Sequence, residues 1–298
     1  MINRGSRLLM SLVIIALLVG AWVAVPRGVV SRTQAAAPIA DLDEISRLVQ
    51  YVNSHVTGLS KNEASQLILQ LEEAQRRYLP SLESRYYAQE DLGAVFFESY
   101  VAGVDPNHMD LIAEGELKEL LWATHAGGFK VETAEGTFYP VIDYSRYEKY
   151  TLLVTDDIAE YIRIMAREIT QPAAKDAALL IGWDEILSRA LQQERFITKY
   201  PHSPRIKEVK ELYARYVYLV LYGTDNTPLF THAAGSRNNR AGLAPAAKLV
   251  YSRVGQVHTG SELARSLGEW MERVKADDFL LTPQVEAQRE LLRSRLTD

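Results

Sequence analysis

LSKNEASQLILQLEEAQRRYL, residues 59–79, decides the fold class. Ser60 and Glu63 stand three apart just ahead of an apolar run. In this S-x-x-E pattern each side chain satisfies the other's backbone amide at a helix start. Leu59 and Ala64 occupy the staple positions around the box. Ala64, Leu67, Ile68, Leu71, Ala74 and Tyr78 then recur at the helical period. Just upstream, DLDEISRLVQYVNSHV (41–56) puts Ile45, Leu48, Val49, Val52 and Val56 on one face, and Gly58 is placed to end it. Two helices joined by so short a turn pack antiparallel.

Moving outward, residues 90–126 read as helix with a break at GVDPNHMD (103–110). FKVETAEGTFYPVIDY (129–144) changes period. Val131 and Thr133 precede a turn at Glu135–Gly136, and Phe138 to Tyr144 is rich in aromatic and β-branched residues, so a hairpin is expected. Pro140 confines its second strand to an edge or a bulge. Helices resume over 156–170, capped by Thr155 and stopped by Pro172; over 174–199, bent at Gly182; and over 205–222, ended by Gly223. A Thr259-x-x-Glu262 box opens 260–275, and Thr282–Pro283 opens a last helix. The expected fold is mainly α: antiparallel helix pairs in an extracytoplasmic domain, with one small β-hairpin near 129–144. YPHSP (200–204) resembles the inter-helix turn of tetratricopeptide-type envelope lipoproteins. It covers five residues, no 34-residue self-similarity accompanies it, and it carries no function across.

The first 37 residues are a separate object. Arg4 and Arg7 precede Leu8–Val25, a run without a charge. As a helix it is about 27 Å long, close to the hydrocarbon thickness of a bilayer. Basic residues ahead of such a run keep the amino terminus in the cytoplasm and export the remainder of the chain. The reading is a single-pass anchor helix at 8–25 within a 1–37 leader and linker. A single helical domain occupies 38–298, with a possible sub-boundary near 128–145. Secretion after cleavage near Ala37 is the alternative, disfavoured because Pro38 comes at once and Arg27 and Arg32 interrupt the approach. The 298-residue chain carries a formal charge of −5, and the leader holds four arginines and no acids, so residues 38–298 carry −9. A body that acidic repels nucleic acid. The absence of cysteine removes disulfides, thiolate ligands and thiol nucleophiles.

Familiar catalytic signatures are missing. There is no G-x-x-x-x-G-K-[ST], G-x-G-x-x-G, S-x-x-K or G-x-S-x-G. The six histidines form no i, i+4 pair, so no metal site and no cofactor are expected.

Three features resist a bland reading. Glu194 falls in the middle of the apolar sector of Trp183, Leu187, Ala190 and Ile197. Such a glutamate is costly unless it is paired, by an Arg or Tyr of a neighbouring helix, or faces a cleft as an acid or ligand-binding group. Glu168 extends a second stripe, Tyr161 and Ile164, beside the core stripe of Ile158, Ile162, Met165 and Ile169. It is either salt-bridged or one of two carboxylates set across a sugar, with Glu194 or Asp143 opposite. Third, GTDNTPLFTHAAGSRNNRAG (223–242) has neither period and reads as a functional or mobile loop, with Asn226, His232 and Arg237 among its polar groups.

Tyrosine is abundant, 16 residues. Tyr144, Tyr147 and Tyr150 recur every third position, fitting a core edge whose hydroxyls reach water. In YARYVYLVLYG, Leu212, Tyr213, Tyr216, Val217 and Val220 make a buried arc. Tyr218 and Tyr222 align with Glu211 and Arg215, an i, i+4 ion pair, and offer a groove wall. Candidate ligand-binding residues are therefore Asp143, Tyr144, Glu194, Arg215, Tyr218, Tyr222, Asn226, His232 and Arg237. The functional expectation is a membrane-tethered extracytoplasmic protein that binds an envelope protein, a peptide or a cell-wall glycan and is not an enzyme. The alternative is an envelope glycan or peptidoglycan hydrolase with Glu168 and Glu194 as catalytic carboxylates.

Overall fold

The computed structural model describes residues 42–87, 105, 107–108, 115–134, 137–232, 241–258 and 260–297. The anchor segment 8–25, the boundary near 37–38, the Glu135–Gly136 turn, most of the 103–110 break and Arg237 lie outside them. The described chain is mostly helical, with small antiparallel strand pairs. Among these residues no helix is long and apolar enough to cross a membrane.

Helix α1 (Leu42–His55) buries Leu42, Ile45 and Val52, and a 3-10 turn over Val56–Gly58 hands the chain to α2 (Lys61–Tyr87). The capping box forms: the Ser60 amide donates to Glu63 Oε2 at 2.9 Å, and the Glu63 amide donates back to Ser60 Oγ at 3.4 Å. Leu59 stays 37% exposed. Helix α2 does not stop where the apolar period of 59–79 ends; it runs on through Pro80. Its far half meets α3 (Glu116–Ala126), where Tyr86 Oη and Thr124 Oγ1 lie 2.8 Å apart.

The hairpin forms as expected, β1 (Phe129–Ala134) antiparallel to β2 (Thr137–Ile142), with Phe129 opposite Ile142 and Val131 opposite Pro140. Val131 turns its N–H and C=O away from the partner strand, to the side-chain amide of Asn107 at 2.9 Å each. Val131–Pro140 is therefore a non-hydrogen-bonded pair, so the proline costs no ladder bond, and Asn107 covers an open strand edge. A 3-10 helix over Tyr144–Tyr150 comes next. Three residues per turn put Tyr144, Tyr147 and Tyr150 on one face, all buried.

Helix α4 (Asp156–Thr170) is buried on two flanks, Ile158 and Ile162 on one and Tyr161 and Ile164 on the other. Thr155 holds its N-cap position, but its hydroxyl faces Ser65 Oγ at 3.0 Å instead of capping. The expected 174–199 helix is shorter. Residues 174–179 are a two-residue-per-strand hairpin, β3 (Ala174–Lys175) with β4 (Ala178–Leu179), and α5 (Trp183–Lys199) begins after Gly182. An alanine-rich segment has high helix propensity, and tertiary pairing overrides it. Helix α6 (Ile206–Tyr222) packs on α5 and ends at Gly223, φ +74°.

The segment 223–242 is not an aperiodic loop throughout. β5 (Gly223–Thr224) pairs with β6 (Thr227–Pro228), and β7 (Phe230–Thr231) with β8 (Gly242–Leu243). Among the described residues the expected single β insertion thus becomes four small ladders. The remaining helices are α7 (Pro245–Tyr251), α8 (Val254–Val257), α9 (Glu262–Ala276) and α10 (Pro283–Thr297). Ser261 caps α9, accepting from the Ala264 amide at 2.9 Å; Thr259 lies outside the described residues.

The hairpins form a continuous seam. Lys175 Nζ reaches Thr133 Oγ1 at 2.9 Å; the Asn226 amide donates to Ala177 O at 2.8 Å; Ala244 N donates to Leu229 O and Leu243 N to Phe279 O, both at 2.8 Å. This seam laces the carboxyl ends of α4, α6 and α9 to the amino ends of α5, α7 and α10.

Two substitutions test the seam by urea denaturation. Asp176 and Ala177 both take positive φ, 49° and 58°, as a two-residue hairpin turn requires. Ala177→Gly removes a left-handed penalty and raises stability by up to about 1 kcal/mol. A Cβ at Gly223 would stand 2.2 Å from the Thr227 carbonyl oxygen. Gly223→Ala lowers stability by at least about 2 kcal/mol.

Candidate functional site

The densest polar constellation centres on Glu72, whose side chain is 2% exposed. Glu72 and Gln75 lie on the face of α2 that also buries Ile68 and Leu79, turned towards the 3-10 helix and α4. Glu72 Oε1 accepts from Tyr144 Oη and Tyr161 Oη, each at 2.5 Å, and from Arg76 Nη2 at 2.8 Å. Oε2 accepts from Arg205 Nε at 2.9 Å and Nη2 at 2.8 Å. One carboxylate thus joins α2, the 3-10 helix, α4 and the entry to α6. Beside it Tyr147 Oη donates to Gln75 Oε1, and Gln75 Nε2 donates to Gly127 O at 2.7 Å. Burial by itself raises the Glu72 carboxyl. The guanidiniums of Arg76 and Arg205, with the two tyrosine hydroxyls, outweigh it and hold the group below its ordinary value. Burial drives the Tyr144 and Tyr161 phenols upward, and the Glu72 charge adds to it for both. Both stay neutral and donate.

A second node lies one helix away. Arg189, 1% exposed, donates to Glu185 Oε1 at 2.6 Å, Glu168 Oε1 at 3.1 Å and Gln171 O at 2.8 Å. Tyr216 Oη donates to the same Glu168 oxygen at 2.5 Å, and Arg167 closes on Glu185 Oε2 at 2.7 Å. Tyr161 and Glu168 stand seven apart on α4, so one helix flank serves both nodes.

Glu194, half-buried, has no hydrogen bond from an arginine or a tyrosine hydroxyl among the described residues. Its Oε1 accepts from the Leu263 amide at 2.8 Å, and its Oε2 accepts from the Ser261 hydroxyl. The carboxylate closes the amino end of α9, where the helix dipole favours negative charge. Glu168 and Glu194 have no bonding partner in common among the described residues.

The remaining candidates scatter. Asp143 caps the 3-10 helix through the Ser145 amide at 3.2 Å. The hydroxyls of Tyr144, Tyr147 and Tyr150 do not reach water as expected; they end on Glu72, Gln75 and Asn53. Glu211 turns to Lys207 at 3.8 Å instead of Arg215, because the lysine one turn earlier offers the same i, i+4 spacing. Tyr218, 50% exposed, stacks on Tyr222 with ring centroids 4.7 Å apart. Tyr222 donates to Glu290 Oε1 at 2.6 Å. Asn226 supports the seam, its Nδ2 donating to Asp176 O at 2.9 Å, and His232 is exposed.

A shallow open groove of about 350 Å³ runs between α2 and α4. Asn62, Gln66 and Leu69 form one wall, and Thr155, Asp157 and Pro204 lie opposite. Among the described residues no group of three His, Asp or Glu side chains is placed to hold a metal ion.

Sequence reasoning missed Glu72. The angular test that singles out Glu194 finds it: Ile68, Glu72, Gln75 and Leu79 share one stripe of α2. No family model, no curated protein and no solved structure matches the chain.

Glu72→Gln leaves Arg76 without its carboxylate and Arg205 with Glu208 alone, and it strands a neutral amide among four donors; it lowers unfolding free energy by about 3 kcal/mol. Because its folded-state value is depressed, the stability Glu72 confers is present above the unfolded glutamate value, about 4.3. It is lost as pH falls through the lower folded value. Urea midpoints between pH 6 and pH 3 therefore fall more steeply for the wild type than for Glu72→Gln.

Proposed function

We propose that this chain is a membrane-tethered helical protein whose body lies outside the cytoplasm and binds a partner there: an envelope protein, a peptide or a cell-wall glycan. The observation that carries the reading is the bonding of Glu72, Glu168 and Glu194 by groups of the fold itself. A general acid needs a carboxyl that holds a proton near neutral pH and presents it to a substrate. Glu72 is displaced the opposite way, two arginines claiming its oxygens. Glu168 is turned to Arg189 and Tyr216, and Glu194 to the start of α9. The polar chemistry of the interior holds helices in register, which leaves the surface for recognition. The tether rests on the uncharged run Leu8–Val25 behind Arg4 and Arg7.

Fractionation tests the tether: the full chain stays in the envelope pellet through alkaline carbonate and is released by detergent. Recovery of most of it from the medium, beginning near Pro38, overturns this. Glu194→Gln tests the role of its carboxylate. Losing the charge at a helix start costs about 1 kcal/mol, a fall of about 2–4 °C in melting temperature. Hydrolysis of cell-wall glycan by the wild type, abolished in Glu194→Gln at unchanged melting temperature, would establish the hydrolase instead.

A further inference from the structure

The groove between α2 and α4 has walls of different chemistry. Asn62 and Gln66 stand four apart on α2, both exposed, and neither side-chain amide has a hydrogen-bond partner among the described residues. Leu69 continues the same wall. Opposite them, Ser203 Oγ donates to Asp157 Oδ2 at 2.7 Å, which fixes that carboxylate at the groove, and Oδ1 has no hydrogen-bond partner among the described residues. Ser65 and Thr155 bond to each other across the floor, at 3.0 Å between hydroxyls, so the groove is braced. Asp157 is the one charged residue among those lining it.

We propose that this groove takes an extended peptide segment carrying a basic side chain. A carboxamide offers one acceptor and two donors, the complement of a backbone C=O and N–H. Residues four apart on a helix are separated by about 6 Å along the axis. Peptide units on the same edge of an extended chain repeat every two residues, about 6.6 Å. Asn62 and Gln66 therefore match successive units on one edge of a strand-like ligand. Leu69 offers an apolar contact beyond them, and Asp157 selects a lysine or arginine on the opposite side. This site rests on the partner-binding reading and narrows it to one class of ligand.

The test uses the full chain in detergent micelles and two fluorescent peptides, Ac-Thr-Lys-Val-Lys-Thr-amide and its counterpart with glutamate for lysine, monitored by anisotropy. The lysine peptide binds at least tenfold more tightly. The Asn62→Ala, Gln66→Ala double variant weakens it at least tenfold at unchanged melting temperature, both residues being exposed. Asp157→Asn keeps an acceptor for Ser203 and removes the preference for lysine over glutamate. Equal binding of the two peptides, or binding indifferent to the double variant, overturns the proposal. Absence of binding to either peptide overturns it too. A photo-crosslinker placed at position 66 or at position 218 separates the two failures: capture of an envelope partner at 218 alone removes the groove and spares the broader reading, and capture at neither removes both.

Discussion

A single desolvated carboxylate organises this fold. Glu72 receives two phenols and two guanidiniums from four separate segments, and every one of those donors is oriented by it. Taking such a charge from water costs several kcal/mol, repaid only where all its lone pairs are met with good geometry. That requirement makes the node a constraint on register. Sliding α4 by one residue past α2 would strand Tyr161, and rotating the 3-10 helix would strand Tyr144. The tyrosine-rich sequence has its explanation here, because a phenol fills apolar space while delivering one donor to a fixed point.

Arg189 repeats the device in the next layer with inverted charge, a buried cation ringed by Glu168, Glu185 and Tyr216. Helix α4 sits between the two nodes and contributes to both, which accounts for its two apolar flanks. Helix α9 is located by a third means, a half-buried carboxylate on its leading amides. The helices are thus indexed by discrete polar contacts, and the apolar core fills the space among them. Short strands at one end then fix the loops.

The range of each interaction sets how much of this is legible in the sequence. The Ser60–Glu63 box, the Thr282–Pro283 start and the stop at Gly223 are local signals and appear where the residues place them. The 129–142 hairpin is local as well. The short ladders are illegible because two-residue strands have no period, and Ala-Ala-Lys-Asp-Ala-Ala carries helix propensity that its own hairpin and hydrogen bonds from Asn226 and to Thr227 override. For the candidate site, Glu194 and Glu168 are visible as polar residues in apolar stripes. Their partners, dozens of residues away in sequence, are not. Nor is the destination of the tyrosine hydroxyls, which depends on α2 arriving across them.

Pro80 lies four residues after Arg76, within the helix that carries the central carboxylate. Its ring nitrogen bears no hydrogen, so the Arg76 carbonyl has no helical donor to accept from. The rungs of α2 are therefore interrupted immediately beyond the charged node. Unravelling that begins at Tyr87 meets a missing rung before it meets Arg76, and the outer turns are held instead by Leu82 and by the Tyr86–Thr124 contact. The interruption acts as a firebreak: the carboxyl-terminal turns of α2 can loosen against α3 while the ionic centre of the molecule keeps its geometry.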